Sequence, residues 1–202
     1  MLFRSINNSK KYKFIVVCGG GKIARKYIYA LRDSGINEEL QSFAGISATR
    51  MNARFMNYFF NINPKRGIPH TMRSLKKDLH KQDIIFCGAL EYKPNQTSDS
   101  TAALIAKKFN SIFINLTNVS GLHDKNPFEY KDAKFIPRIS WLNFDKMIGK
   151  LKFKPGQHFV LDQTASKMIL KNRIQTYIFG SDLKELDNLL KKKKFIGTII
   201  EN

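Results

Sequence analysis

Phe14-Ile-Val-Val-Cys-Gly-Gly-Gly-Lys-Ile-Ala-Arg-Lys-Tyr-Ile28 decides the fold. Its first five residues are apolar and rich in β-branched side chains, the pattern of a buried parallel strand. Three glycines end the run. From Lys22 to about Arg32 a helical pattern puts Ile23, Tyr27, Ala30 and Leu31 on one face. Strand, glycine turn and helix make a place for phosphate, because glycines admit close backbone approach and N–H groups at the helix start point at an anion. Lys22 and Arg25 add positive charge in the first turn. The segment is not a Walker A loop, since Ile23 stands where Ser or Thr would bind the metal, and it is not G-x-G-x-x-G. A tight strand-to-helix turn without a ligand is the plainer alternative, because turns need glycine too.

Outward from this segment, strand and helix signals alternate. Asp83–Cys87, Ser111–Leu116 and Ile174–Phe179 read as strands, Gln157–Asp162 as a short one, and Gly197–Ile200 closes the sheet. Leu40–Met56 reads as a helix with Phe43, Ile46, Arg50 and Ala53 at helical spacing, and Thr71–Leu79 as a short one. Ser100–Phe109 follows, capped by Ser98 or Asp99, then Gln163–Lys171, then Asp182–Leu190 with Asp182 as N-cap. Trp141 reads as a packing residue. The alternation predicts a parallel sheet covered on both faces, in a single domain spanning residues 1–202. Polar residues gather after the strands, at Gly88–Asp99, Thr117–Gly121 and His123–Pro127. Ligands of open α/β sheets bind outside the carboxyl ends of the strands, so these loops are expected to share one crevice.

Composition narrows the function classes. A chain of 202 residues, 43% hydrophobic, is large enough to bury a core and too apolar for disorder. No apolar run is long enough to span a bilayer, and Met1 to Lys10 lacks the apolar core of a signal peptide. Cys18 and Cys87 each end a strand before glycine and read as small buried hydrophobes, which fits a reduced, cytoplasmic protein. The net charge of +19, from 35 Lys and Arg against 16 Asp and Glu, favours phosphate-bearing partners. The lysines are spread along the chain and mark no nucleic-acid recognition module, and Lys191–Lys194 reads as a solvated helix end. Four histidines lie far apart with no metal-ligand spacing, so no metal site is assigned. Nor is there a Ser-His-Asp or Cys-His pattern.

Taken together the motifs resemble archaeal-type UMP kinases of the amino-acid kinase family. Val16–Ile28 resembles the family's GGGK segment. Phe43-Ala-Gly-Ile-Ser-Ala-Thr-Arg-Met-Asn-Ala53 resembles the helix beside the nucleoside monophosphate. Thr97-Ser-Asp99 before Ala102-Ala103 resembles the UMP-phosphate loop, and Thr117-Asn-Val-Ser-Gly121 the ATP loop. Val160–Lys167 and Gly197-Thr198 also match, so the likeness runs in order from about Phe14 to the end.

The resemblance implies an α/β fold, a three-layer αβα sandwich with a mainly parallel sheet. It implies transfer of the ATP γ-phosphoryl to UMP, with Mg²⁺ carried by the nucleotide, in a cytoplasmic homohexamer without membrane or specific nucleic-acid partners. Lys22 and Arg25 would be catalytic. Gly20, Ser42, Asn95, Gln96, Thr97 and Ser98 would meet UMP. Gly21, Arg25, Thr117, Asn118, His123 and Asn126 would meet ATP. Phosphoryl transfer asks mostly for positioning and charge neutralisation, which backbone N–H groups and cations supply. The family's leading strand and Gly-Gly-Ser-type turn precede the matched region, so an N-terminally shortened sandwich is expected. Ser42 stands where the family has an Asp on the UMP ribose, and Ser120, His123 and Asn126 replace Asp, Tyr and Asp. A catalytically weakened nucleotide-binding or regulatory subunit is the alternative.

Overall fold

A computed structural model describes residues 12–94, 96–150 and 160–202. Two compact units divide the chain between Thr101 and Ala102.

In the first unit, β1 (Phe14–Val17) and β2 (Ile84–Cys87) pair in parallel, with Phe14 opposite Ile84 and Val17 opposite Cys87. Between them lie α1 (Gly21–Asp33), α2 (Glu38–Phe59), a single 3₁₀ turn (Pro64–Arg66) and α3 (Met72–Leu79). Asn37 caps α2, accepting from the Leu40 N–H. Thr71 caps α3 in a reciprocal box with Ser74. The core gathers Phe60, Leu75, Ile85, Phe86 and Cys87, with the Phe60 and Phe86 rings 4.8 Å apart.

Two helix faces differ from expectation. On α1 the inward residue is Ala24, with Ile28 and Leu31 half-buried, while Ile23 and Tyr27 are 40% and 50% exposed. Both sets have helical spacing, one residue apart. Small residues decide between them: a Cβ on Gly45 of α2 would stand only 3.2 Å from Ile28 Cδ1, so the helices meet through that notch. On α2 the buried residues are Ala48, Thr49, Ala53 and Asn57, while Leu40, Phe43, Met51, Phe55, Tyr58 and Phe59 face outward. The inward side of this helix is small and polar, and the outward side carries the large apolar groups.

α4 (Ser98–Phe109) contains the division between the units. Thr97 caps it: its Oγ1 accepts from Ser100 N–H at 3.1 Å, and Ser100 Oγ accepts from Thr97 N–H at 2.8 Å. The cap is therefore Thr97, not Ser98 or Asp99, because only Thr97 has Ser100 three residues on to complete the box.

The second unit holds β3 (Phe113–Leu116), β4 (Leu122–His123), β5 (Phe135–Ile136), β6 (Arg138–Ile139), α5 (Trp141–Lys150), α6 (Gln163–Asn172), β7 (Thr176–Phe179), α7 (Leu183–Leu190) and β8 (Thr198–Ile200). Its sheet runs in the order β3-β7-β8-β6, with β3–β7 and β6–β8 parallel and β7–β8 antiparallel. β4 and β5 form a separate antiparallel pair. The core cluster includes Phe144, Leu161, Ile169, Ile178 and Ile200, with Ala103 and Ala106 from α4. Trp141 packs against it and donates its indole N–H to Ile174 O at 3.0 Å. Most of the expected strand Gln157–Asp162 lies outside the described residues. Val160 and Leu161 form a bend, and Asp162 caps α6, accepting from Ala165 N–H. Asp182 caps α7 as expected, accepting from Lys184 N–H.

Candidate functional site

The glycine turn leaves β1 where its pairing with β2 ends. Cys18 N–H makes the last strand-to-strand bond, to Cys87 O at 2.8 Å. Gly20 takes the N-cap position of α1, and a Cβ there would stand 2.4 Å from Ala24 Cβ. Gly21 sits at φ +59, a backbone state that costs glycine little, with no atom within 4 Å of where a Cβ would be. The first turn of α1 carries no acidic residue. Lys22 and Arg25 are exposed, and neither has an ion-pair partner among the described residues. The result is a donor-rich, open surface at a helix start.

A second helix start lies beside it. A Cβ on Gly19 would stand 3.6 Å from Ser98 Oγ, in the first turn of α4. Ser98 is half-buried, and Thr97 is exposed with its hydroxyl in the capping box. Gln96 donates from Nε2 to Thr101 Oγ1 at 3.0 Å, and its Oε1 is buried with no partner among the described residues. Asn95 lies outside the described residues. Ser42 is exposed on the first half of α2. So the structure brings Gly20, Gly21, Lys22 and Ser98 to neighbouring helix starts.

The remaining residues belong to the second unit, on the stretch that follows β3 and takes in β4. Thr117 N–H donates to Phe179 O at 2.9 Å, and Thr117 Oγ1 to Asn118 Oδ1 at 3.3 Å. Gly121 is required by crowding, since a Cβ there would meet Thr198 Oγ1 at 2.7 Å. His123 lies in β4, its Nδ1 3.1 Å from Gly121 O and its ring beside Phe135. Asn126 is held in a turn: its Oδ1 accepts from Phe128 N–H and its Nδ2 donates to Glu129 Oε1 at 2.8 Å.

Burial sets the thiol chemistry next to the turn. It pushes the Cys18 thiol up to about 11 and the Cys87 thiol to about 12, so both stay protonated at neutral pH. His70 is pulled down, first by burial and then by Arg50 and Arg54.

Thr49, Arg50 and Asn52 escaped the reading of the sequence as site residues. They sit mid-helix on α2 and bond to the loops that follow β1 and β2. Three polar side chains within four residues of a helix that packs on a strand were the available signal, because such groups need partners when buried.

The pattern of the amino acid kinase family matches residues 2–180. A uridylate kinase of Thermoplasma volcanium is 33% identical over 202 residues, covering 98% of this chain and 87% of the relative. One from Thermococcus kodakarensis is 30% identical over 201 residues, covering 98% and 88%. The crystal structure of uridylate kinase from Archaeoglobus fulgidus aligns with a TM-score of 0.84 at 28% identity, covering 98% of this chain and 89% of that one. UMP kinase from Ureaplasma parvum shares the fold, with a TM-score of 0.77 at 24% identity, covering 100% and 87%.

Proposed function

The chain belongs to the amino acid kinase family, and from that premise we propose that it is an ATP-dependent UMP kinase, forming UDP and ADP. The observation that carries this proposal is the meeting of two helix starts in the first unit. α1 begins at an open glycine turn, and Ser98 of α4 stands 3.6 Å from where a Gly19 Cβ would be. Two helix N-termini favour two anions side by side, as a donor and an acceptor phosphate require. Lys22 and Arg25 are the catalytic cations of the proposal. Gly20, Ser42 and Asn95 to Ser98 are its UMP contacts. Gly21, Arg25, Thr117, Asn118, His123 and Asn126 are its ATP contacts, with Asn126 exchanging a turn bond for the nucleotide. The groups at the glycine turn are donors and cations, which suit phosphate oxygens, so Mg²⁺ enters on the nucleotide and neutralises charge there.

We assign the activity to a single kinase domain over residues 1–202, in the cytoplasm, supplying UDP for pyrimidine nucleotides. A homohexamer is part of the same proposal. The outward side of α2 supports self-association: four half-exposed aromatic rings with Leu40 and Met51 present on the order of 600 Å² of apolar surface. That approaches the ~800 Å² per partner of a stable interface.

The test is incubation of the purified chain with ATP, Mg²⁺ and each nucleoside monophosphate, following products by mass. UDP formed faster than any other diphosphate is the expected result. Ser42, a neutral hydroxyl where relatives of the resembled type carry a carboxylate, favours the second reading of a nucleotide-binding subunit. Nucleotide affinity without turnover would select it.

A further inference from the structure

We propose that Asn52 and Arg50 are positioning residues through which one helix, α2, sets both the glycine turn after β1 and the loop after β2; the proposal rests on the reading that these loops hold nucleotide phosphates. Ladder bonding between the strands stops at Cys18 and Cys87. Beyond that point the carbonyls of Gly19, Ala89 and Leu90 have no strand to bond. α2 supplies the missing partners from three residues within one stretch of four. Asn52 Nδ2 donates to Gly19 O at 2.7 Å. Arg50 donates from Nε to Ala89 O at 3.2 Å and from Nη2 to Leu90 O. Thr49 Oγ1 accepts from Ala89 N–H at 2.9 Å.

The packing around these bonds leaves little freedom. A Cβ on Gly88 would stand 2.5 Å from Thr49 Oγ1 and 2.6 Å from Arg50 N, so strand end and helix backbone touch directly. A Cβ on Gly20 would stand 3.5 Å from Thr49 Cγ2.

Peptide planarity then fixes what the turn presents. In a trans peptide the C=O and the next N–H point in opposite directions, and no described peptide bond is cis. Holding Gly19 O against Asn52 therefore turns the Gly20 N–H away from α2. Without Asn52 this peptide, flanked by glycines, is free to rotate, and the donor leaves its place. Arg50 acts on the other arm. Its forked guanidinium spans two successive carbonyls, a geometry a lysine cannot copy, and fixes the entry to the segment that leads to Thr97 and Ser98.

The experiment compares Asn52→Asp, Arg50→Ala and Arg50→Lys with the unsubstituted chain. Asn52→Asp keeps the shape and removes the donor. It is expected to lower kcat about 10²-fold, the scale of a misplaced phosphate contact, while the thermal midpoint holds, since the turn is open to solvent. Arg50→Ala is expected to raise KM for UMP about tenfold, with Arg50→Lys recovering part of the loss. A second readout needs no nucleotide: the amide resonances of Gly19, Gly20 and Gly21 move in Asn52→Asp while those of the second unit stay. Folded variants with unchanged kinetics and unchanged glycine resonances would overturn the proposal. So would activity lost only in proportion to a falling midpoint. If the unsubstituted chain binds neither ATP nor UMP, the kinase reading fails and the phosphate-positioning proposal falls with it. Unmoved glycine amides in Asn52→Asp, beside an active parent, overturn the positioning alone.

Discussion

In the first unit the longest helix turns Ala48, Thr49, Ala53 and Asn57 inward, whereas in the second the inward side chains are Phe144, Leu161, Ile169, Ile178 and Ile200. The first arrangement brings backbones close and joins them by side-chain hydrogen bonds to loops. The second fills space with branched and aromatic groups. Small residues place backbone; large ones supply burial energy. A unit that holds a glycine turn and a second loop against one helix gains from the former, and a unit that supports a four-stranded sheet gains from the latter.

Substitutions can break this contrast. Phe144→Ala should cost the most, ~3–5 kcal/mol of stability by chemical denaturation, because the ring is fully buried in the cluster. Its kcat per folded molecule should be unchanged; a lower kcat at intact stability would erase the distinction. Thr198→Val comes next. Thr198 Oγ1 donates to Ile136 O at 2.6 Å and accepts from Leu122 N–H at 2.8 Å, and valine strands both groups at a cost of about 3 kcal/mol. Thr198→Ser should restore most of it, showing that the second unit has a polar clamp of its own. Gly88→Ala should cost about 2 kcal/mol through overpacking against α2, and its kinetic defect should exceed its stability defect. Equal defects would mean that α2 is only a scaffold.

The smallest effect concerns pH. Cys18 and Cys87 have thiol values raised by burial to about 11 and about 12, above their unfolded value. The unfolded chain therefore releases protons first. Stability from these groups is complete below about pH 9 and falls as pH rises through about 11 for Cys18 and about 12 for Cys87. A Cys18→Ala, Cys87→Ala double variant should flatten that alkaline decline, and native alkylation at pH 8 should be slow. Rapid alkylation would show that the strand ends open readily.

The strands at Phe14, Ile84, Phe113 and Thr176 were legible because short runs of β-branched and aromatic residues bounded by turn signals leave little other compact use. β4, β5 and β6 were not, since two residues carry no period. The face of α1 was misjudged because Ile23, Tyr27 and Ala24, Ile28 satisfy the same spacing, and only the Gly45 notch chooses between them. Glycines and cations of the turn could be read from their order. The partners of Asn52 and Arg50 could not, because they are backbone carbonyls 33 to 40 residues distant in the chain.

The sheet order β3-β7-β8-β6 has a consequence for synthesis. β8, at residues 198–200, lies between β7 and β6, and among the described residues β6 pairs with no other strand. On the ribosome, β6 waits for some 60 residues of translation before β8 exists, on the order of several seconds at ordinary elongation rates. For the last third of that interval, once β7 has been made, Ile178 and the edge of β7 are uncovered. The nascent second unit thus keeps an apolar strand edge open until β8 is made, whereas both described strands of the first unit are made before Thr101.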